Sequence, residues 1–221
     1  MCGRYTLRTP VNDLVGQFHI EEYPSDIAPN YNIAPTQEVA AVVEEDDKRK
    51  LEMLRWGLIP SWAKDPAIGN KMINARAETV SEKPSFRSAF KKRRCLILAD
   101  GFYEWQKMDD GKQPYHIKME DGSPFAFAGL WEAWDKYGEE IHSCTIITTG
   151  ANDLMNEIHH RMPVILPLED YDMWLDPDFE EKDALTSVLK PYPADAMEAY
   201  PVSRRVNKPS NNEPSVVEPA A

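Results

Sequence analysis

The period of the apolar positions changes several times along the chain. Val11, Leu14, Val15 and Phe18 recur at i, i+3, i+4 and i+7, one face of a helix. Thr9 is placed to cap it and Pro10 suits its first turn, so "TPVNDLVGQF" (9–18) predicts the first helix. The pattern then shortens. "EVAAVV" (38–43) and "LEMLRWGLI" (51–59) predict two strands joined by an acidic turn. "RRCLILADGFYEWQK" (93–107) opens with an apolar run, Cys95–Ala99, that predicts a buried strand; Asp100–Gly101 bends or bulges it, and Phe102–Gln106 continues. After "DDGKQ" (109–113), Tyr115, Ile117 and Met119 alternate with polar residues. A second turn, "DG" (121–122), leads into "PFAFAGLWEAW", and "IHSCTIITT" (141–149) supplies another strand. Helices are expected at about 151–158, 168–175 and 181–190. Strands separated by short turns predict an α+β class, a curved antiparallel sheet core with helices at its edges.

Composition adds limits. Among 221 residues there is no internal repeat and no interior linker, so one domain is expected over 1–206. "NKPSNNEPSVVEPAA" (207–221), rich in Pro, Asn and Ser, reads as a weakly ordered tail. No stretch approaches the ~20 apolar residues of a membrane span, and "MCGRYTLRTPVNDL" is too polar for a signal peptide. A cytoplasmic location follows as the default, where Cys2, Cys95 and Cys144 are expected as free thiols. No feature demands more than a monomer. The net charge of −12 argues against a general nucleic-acid binder, since phosphate affinity comes from Lys and Arg. Acidic residues gather in 43–48, 176–183 and the tail. Basic ones gather at Arg4 and Arg8, in "KKRR" (91–94) and in "SRR" (203–205), so a basic groove on an acidic body is compatible with the sequence.

Candidate chemistry begins at Cys2. Removal of Met1 leaves an amine and a thiol on one residue. An α-amine has a pKa of about 7.7–8.0, so a useful fraction is neutral at physiological pH. A neutral amine converts an aldehyde to an imine, and the adjacent thiol closes a five-membered thiazolidine with the advantage of an intramolecular reaction. A terminal cysteine is thus an aldehyde trap, whereas a lone internal cysteine is usually a small buried hydrophobe. Polar islands in apolar surroundings supply the other candidates: Asn74, Arg76 and Glu78 in "MINARAET" (72–79), Glu104 in "DGFYEWQ" (100–106), and His159, His160 and Arg161 in "NEIHHRMP" (156–163). A carboxylate between aromatics suits proton transfer. Read alone, Glu104 serves equally as an outward strand residue, the histidines as surface residues and Arg76 as an ion-pair partner. The scattered cysteines form no C-x-x-C pair and there is no H-x-x-x-H, so no metal site is expected; without a Gly-rich phosphate loop no cofactor is implied.

Taken in order, "MCGRYTL", "YNIAPTQ" (31–37), "RWGLIPSWAKD" (55–65), "INARAET" (73–79), "RCLILADGFYEW" (94–105), "IHHRMPVIL" (158–166) and "PVSRRVN" (201–207) resemble the SOS response-associated peptidase (SRAP) family, also called HMCES/YedK-like, over essentially the whole chain. The resemblance implies one α+β domain with a barrel-like β core and a positively charged DNA cleft. It implies recognition of abasic sites in single-stranded DNA and a covalent crosslink through Cys2, the open deoxyribose supplying the aldehyde. Slow lyase chemistry and thiol autopeptidase activity also attach to the family. Carried over by motif, Cys2 is the nucleophile, Asn74 orients the amine or the sugar, Glu104 is the general acid/base, and His159 is a second one that protonates a sugar oxygen. Arg4, Arg76 and Arg161 would grip phosphates, and Pro35 and Trp105 would stack on or wedge between bases. Trp56 and Trp62 line the same cleft or belong to the core, with Trp56 favoured for the core. A thiol peptidase built on Cys2, His159 and Asn74 or Glu104, and a non-covalent single-strand binder, are the alternative readings.

Overall fold

The longest apolar runs close on one another. In chain order the strands are β1 (Tyr5–Leu7), β2 (Asn30–Ile33), β3 (Glu38–Glu45), β4 (Lys48–Trp56), β5 (Asn74–Arg76), β6 (Arg94–Ala99), β7 (Gly101–Met108), β8 (Gly111–Met119), β9 (Phe125–Lys136), β10 (Glu139–Gly150), β11 (Arg161–Pro163), β12 (Ile165–Leu166) and β13 (Met197–Pro201). The α-helices are α1 (Val11–Phe18), α2 (Arg87–Lys92), α3 (Asp153–Asn156), α4 (Tyr171–Leu175) and α5 (Lys182–Ser187). The structure is a computed structural model that describes residues 2–109 and 111–220, with Glu139 described by its backbone only. No helix among them is long and apolar enough to cross a membrane.

Strands β4, β3, β6, β9 and β10 pair in succession, and β10 pairs with both β9 and β4, so five strands form a closed barrel. Four of the five pairings are antiparallel, as the short turns predict. The closing one is parallel, through Ser143 opposite Arg55 and Cys144 opposite Trp56. The β3–β4 hairpin is longer than its apolar run because Asp46 and Asp47 both adopt positive φ, the two-residue turn whose twist matches the strands. β4 stops at Trp56, short of Ile59. Gly57 has φ +129°, and a Cβ there would lie 2.6 Å from the carbonyl oxygen of Gly69.

Every residue of β6 is buried. Its first, Arg94, belongs to the basic run but does not face solvent. All five guanidinium N–H donors meet backbone carbonyls: Trp174 at 2.6 Å, Phe90 at 2.9 Å, Phe179 at 3.0 Å, and those of Lys91 and Asp176. Arg93 and Lys92 pair with Glu132 and Glu180. Much of "KKRR" therefore fastens α2 and the 174–180 segment to the barrel.

Asp100 and Gly101 hand the chain from β6 to β7, which lies in a second, antiparallel sheet ordered β13-β8-β7-β1-β2. Gly101 is required there, because a Cβ would fall 2.3 Å from Nε2 of the buried His116. The helical stripe at 11–18 forms as expected, with Pro10 at the N-cap position instead of the first turn. Thr9 does not cap it; its hydroxyl donates to Asp100. The later helices are shorter than their patterns. α3 is one turn capped by Asn152, which accepts from the amide of Met155; 168–175 divides into a 3-10 turn and α4; and α5 ends at Ser187. α2 has no counterpart in the sequence reading, since charged residues surround its two buried positions, Ala89 and Phe90. Of the segment from 207 onward, Val216 is buried, Val202 bridges Pro219, and the amide of Ala220 donates to Pro201 O at 2.8 Å.

Candidate active site and nucleic-acid interface

β1 has three residues, too few to hold itself in place, and its position is fixed from both sides and from below. It pairs with β7 through Tyr5 opposite Phe102 and with β2 through Tyr5 opposite Ile33. The Asp100 carboxylate accepts from the Thr6 hydroxyl at 2.6 Å, the amides of Arg8 and Thr9, and Arg8 Nε at 3.0 Å. Upstream, the Tyr103 amide donates to Arg4 O at 2.9 Å, so the chain runs on beside β7 toward Glu104. Cys2 ends up fully buried at the inner end of this strand.

Asn74, the first residue of β5, is carried beside β10 by a parallel pairing with Ile146. Its Nδ2 donates to Cys2 O at 2.8 Å. Its Oδ1 is buried and has no hydrogen-bond partner among the described residues. Trp56, fully buried as favoured from the sequence, steadies this segment by donating from Nε1 to Ile73 O at 2.9 Å. Glu104, 3% exposed, sits on β7 between Tyr103 and Trp105. Burial, and after it the Glu104 carboxylate, pushes the Cys2 thiol far above its ordinary range. The loop carrying His159 is tied to the same strand, since Gln106 Nε2 donates to Glu157 O at 2.7 Å. The half-buried His159 ring has Nδ1 3.1 Å from both the amide nitrogen and the carbonyl oxygen of Arg161, and its centroid lies 4.4 Å from that of the exposed His160, the two rings tilted by 30°. Among the described residues, no three His, Cys, Asp or Glu side chains are arranged to hold a metal ion.

The arginines fall into two groups. Arg4 Nη1 donates to Asn32 Oδ1 at 2.8 Å and Val206 O at 2.7 Å, and the guanidinium lies 5.9 Å from the Trp105 ring centroid. The half-exposed Trp105 is oriented by its Nε1, which donates to Asn207 Oδ1 at 2.7 Å. Arg76 and Arg161 lie on strands that flank the same end of β10: β5 sets Arg76 opposite Thr148 on one side, and β11 sets Arg161 opposite Gly150 on the other. Arg76 is exposed, whereas Arg161 is paired with Glu78 and donates to Thr148 O at 2.7 Å. Pro35 is half-buried in the turn after β2, beside Thr36 at φ 73°. Trp62 is not core; it is 54% exposed.

Sequence reasoning missed three supports of this arrangement. Asp100 clamps the N-terminal strand. Asn32, 1% exposed, links Arg4 to the backbone of 206–211 through Nδ2, which donates to Asn211 O at 2.8 Å, Lys208 O at 3.1 Å and Val206 O at 3.2 Å. Asn207 fixes Trp105. A polar asparagine inside the apolar stretch "YNIA" was the available signal, because a buried amide requires partners. A cavity of about 370 Å³ lined by Ile165, Leu168, Val188 and Tyr192 shares no lining residue with the Cys2 cluster.

Residues 1–209 match the family model described as SOS response associated peptidase (SRAP). The abasic site processing protein YoqW of Bacillus subtilis (strain 168) is 50% identical over 99% of both chains. The abasic site processing protein YedK of Escherichia coli (strain K12) is 30% identical over 99% of this chain and 100% of its own. The abasic site processing protein HMCES of Xenopus tropicalis is 35% identical over 84% of this chain and 64% of its own. A crystal structure of a protein from Bacteroides thetaiotaomicron superposes with a TM-score of 0.90 at 31% identity, covering both chains completely. With the motifs in order, a barrel of the same shape and a family match spanning nearly the whole length, this chain belongs to the SRAP family.

Proposed function

We propose that the protein captures abasic sites in single-stranded DNA as a covalent thiazolidine through Cys2, once Met1 has been removed. The observation that carries this reading is the clamp on residue 2. Asn74 Nδ2 holds Cys2 O at 2.8 Å while Asn74 Oδ1, buried and unpartnered among the described residues, remains as an acceptor for a freed amine or a sugar hydroxyl. A buried acceptor without a partner is costly to a fold, so its retention favours a role in binding.

The chemistry follows from the residues. In the open-chain sugar, the Cys2 amine attacks the C1′ aldehyde and one water leaves, giving an imine. The thiol then adds across the C=N bond, sulfur to carbon and hydrogen to nitrogen, and the ring closes. Glu104 relays protons in both steps, and His159 protonates the sugar oxygen as the ring opens. An imine at C1′ acidifies the C2′ hydrogens and permits elimination of the 3′ phosphate, which is the lyase reaction. Thiazolidine closure removes the C=N bond and protects the strand. The thiol's raised pKa fits this order, because the amine acts first and no standing thiolate is needed. Arg4, Arg76 and Arg161 supply backbone contacts, and Trp105 and Pro35 the stacking surfaces that suit unpaired bases. A buried Cys2 also favours a single strand, whose sugar can turn into the site without breaking base pairs.

The test is a denaturing gel with mature protein and a single-stranded oligonucleotide bearing one abasic site. A band that needs the lesion and survives denaturation is expected. It should be lost in Cys2→Ala and in a chain extended by one residue ahead of Cys2. A crosslink that persists with the terminus blocked would refute the aminothiol mechanism.

A further inference from the structure

The carboxylate of Glu78 faces the outer edge of Arg161: Nη1 donates to Oε1, and Nη2 donates to Oε2 at 3.1 Å. This two-pronged geometry is the one by which arginine takes a carboxylate or a phosphate alike. A second set of contacts holds the guanidinium from behind, with Nη2 donating to Thr148 O at 2.7 Å and lying 3.4 Å from Thr148 Oγ1. Exposure separates the two sets. The Arg161 side chain is 14% exposed and that of Glu78 is 54%. Thr148, on β10, is the tether on the protein side. Glu78, in the turn after β5, is the cover on the solvent side. The hydrogen bond from Arg161, with the charge of nearby Arg76 adding to it, holds the Glu78 carboxyl below its ordinary range, so it is ionised at neutral pH.

We propose that Glu78 is an internal competitor for the phosphate seat of Arg161. Its carboxylate fills the fork until a nucleic-acid phosphate displaces it, and so it determines how weakly the site holds DNA that carries no lesion. This rests on the reading of Arg161 as a phosphate contact. Intact and abasic strands lose the same initial affinity to Glu78, but only the abasic strand goes on to form a bond. A weaker first grip therefore shortens dwell time on intact DNA and leaves captured lesions in place. Removing Glu78 does not cast Arg161 adrift, because the Thr148 carbonyl still holds it.

The experiment is fluorescence anisotropy with the full chain and an intact single-stranded oligonucleotide across a salt series. E78Q and E78A are each expected to tighten binding by about 3- to 10-fold at low salt. One added phosphate contact should steepen the slope of log K against log salt by about 0.7. In an R161A background that gain should vanish. Unchanged or weaker binding by both Glu78 variants would overturn the proposal, and so would a gain that persists without Arg161. R161A alone keeps the two failures distinct. If it weakens binding while the Glu78 variants bring no gain, the competitor role fails by itself. If R161A binds like the parent, the phosphate-contact reading fails and the proposal goes with it.

Discussion

Replacing Asn32 tests the link between fold and site most directly. Its Oδ1 accepts from the charged Arg4, and its Nδ2 faces the carbonyls of Val206, Lys208 and Asn211. Nδ2 has two hydrogens, so three acceptors share two donors. Asn32→Ala removes one hydrogen bond from a charged donor, worth about 1.5–3 kcal/mol, and two neutral ones of about 1 kcal/mol each. The expected loss is about 4 kcal/mol, a large part of the 5–15 kcal/mol that usually holds a domain together. With a urea m-value near ~2.5 kcal/mol/M, the unfolding midpoint should fall by about 1.5 M. Asn32→Asp sharpens the test. It keeps the acceptor for Arg4 but turns a carboxylate oxygen toward three carbonyl oxygens, so it should destabilise at least as much as alanine despite its matching shape. Equilibrium urea unfolding at neutral pH, followed by tryptophan fluorescence, measures both. A midpoint shift below about 0.4 M for Asn32→Ala, equivalent to about 1 kcal/mol, would refute the reading of Asn32 as the joint between the N-terminal strand and the C-terminal segment.

Three further outcomes are expected. Gly101→Ala should cost about 1–3 kcal/mol in urea unfolding, because its Cβ would meet His116 Nε2 at 2.3 Å; a neutral result would show that His116 yields freely. In a histidine NMR titration the two buried or paired imidazoles should separate in opposite directions. Burial lowers His116 to about 3, so its contribution to stability is full above pH 6.5 and is lost as pH falls toward 3. For His142 burial lowers the pKa, but hydrogen bonds to Glu140 and Glu52 outweigh it and the net shift is upward; its contribution is full below pH 6.5 and is lost as pH rises through its folded pKa. Coincident titration of both near pH 6.5 would contradict these environments. Glu104→Gln should slow crosslinking to abasic DNA by roughly 10²–10⁴-fold in a timed gel assay, the range for one general acid/base, with binding of intact DNA retained; an unchanged rate would remove Glu104 from the proton relay.

Legibility followed the range of the interaction. The stripe at Val11, Leu14, Val15 and Phe18 is local, and α1 is where it places it. The apolar run Cys95–Ala99 was readable as a buried strand for the same reason, as was the break at Asp100–Gly101. The parallel closure of β10 on β4 was not, because it joins residues some ninety positions apart with no turn between them to announce it. Arg94 looked like surface charge in "KKRR", since its five carbonyl acceptors come from α2 and from residues 174–179, invisible until the chain folds. At the site, Cys2 stood out as a candidate from its place in the chain. Its bond to Asn74, seventy-two residues away, and the clamp of Asp100 on residues 6–9 needed the fold.

The acidic balance of the chain, −12, is the property that sits least easily with a nucleic-acid ligand, and the hydrogen-bond partners of the cations resolve it. Exposed charges farther apart than a Debye length, about 8 Å at physiological salt, are largely screened from one another. What matters to a phosphate is therefore whether an arginine's own neighbours neutralise it. Arg8, Arg49, Arg93 and Arg205 are paired with Asp100, Asp172, Glu132 and Glu213, and their fields are spent locally. Arg4 is held differently, by an amide oxygen and a backbone carbonyl, which orient the guanidinium without cancelling its charge. Arg76 is exposed and forms no salt bridge among the described residues, though its charge reaches the nearby Glu78 carboxylate. Neutral tethers keep cations both fixed and available, the combination a phosphate seat requires. Arg161 departs from that pattern through Glu78 alone. If E78Q converts it to the neutral-tether type, held by Thr148 O, the gain in affinity for intact DNA measures what that one carboxylate withholds.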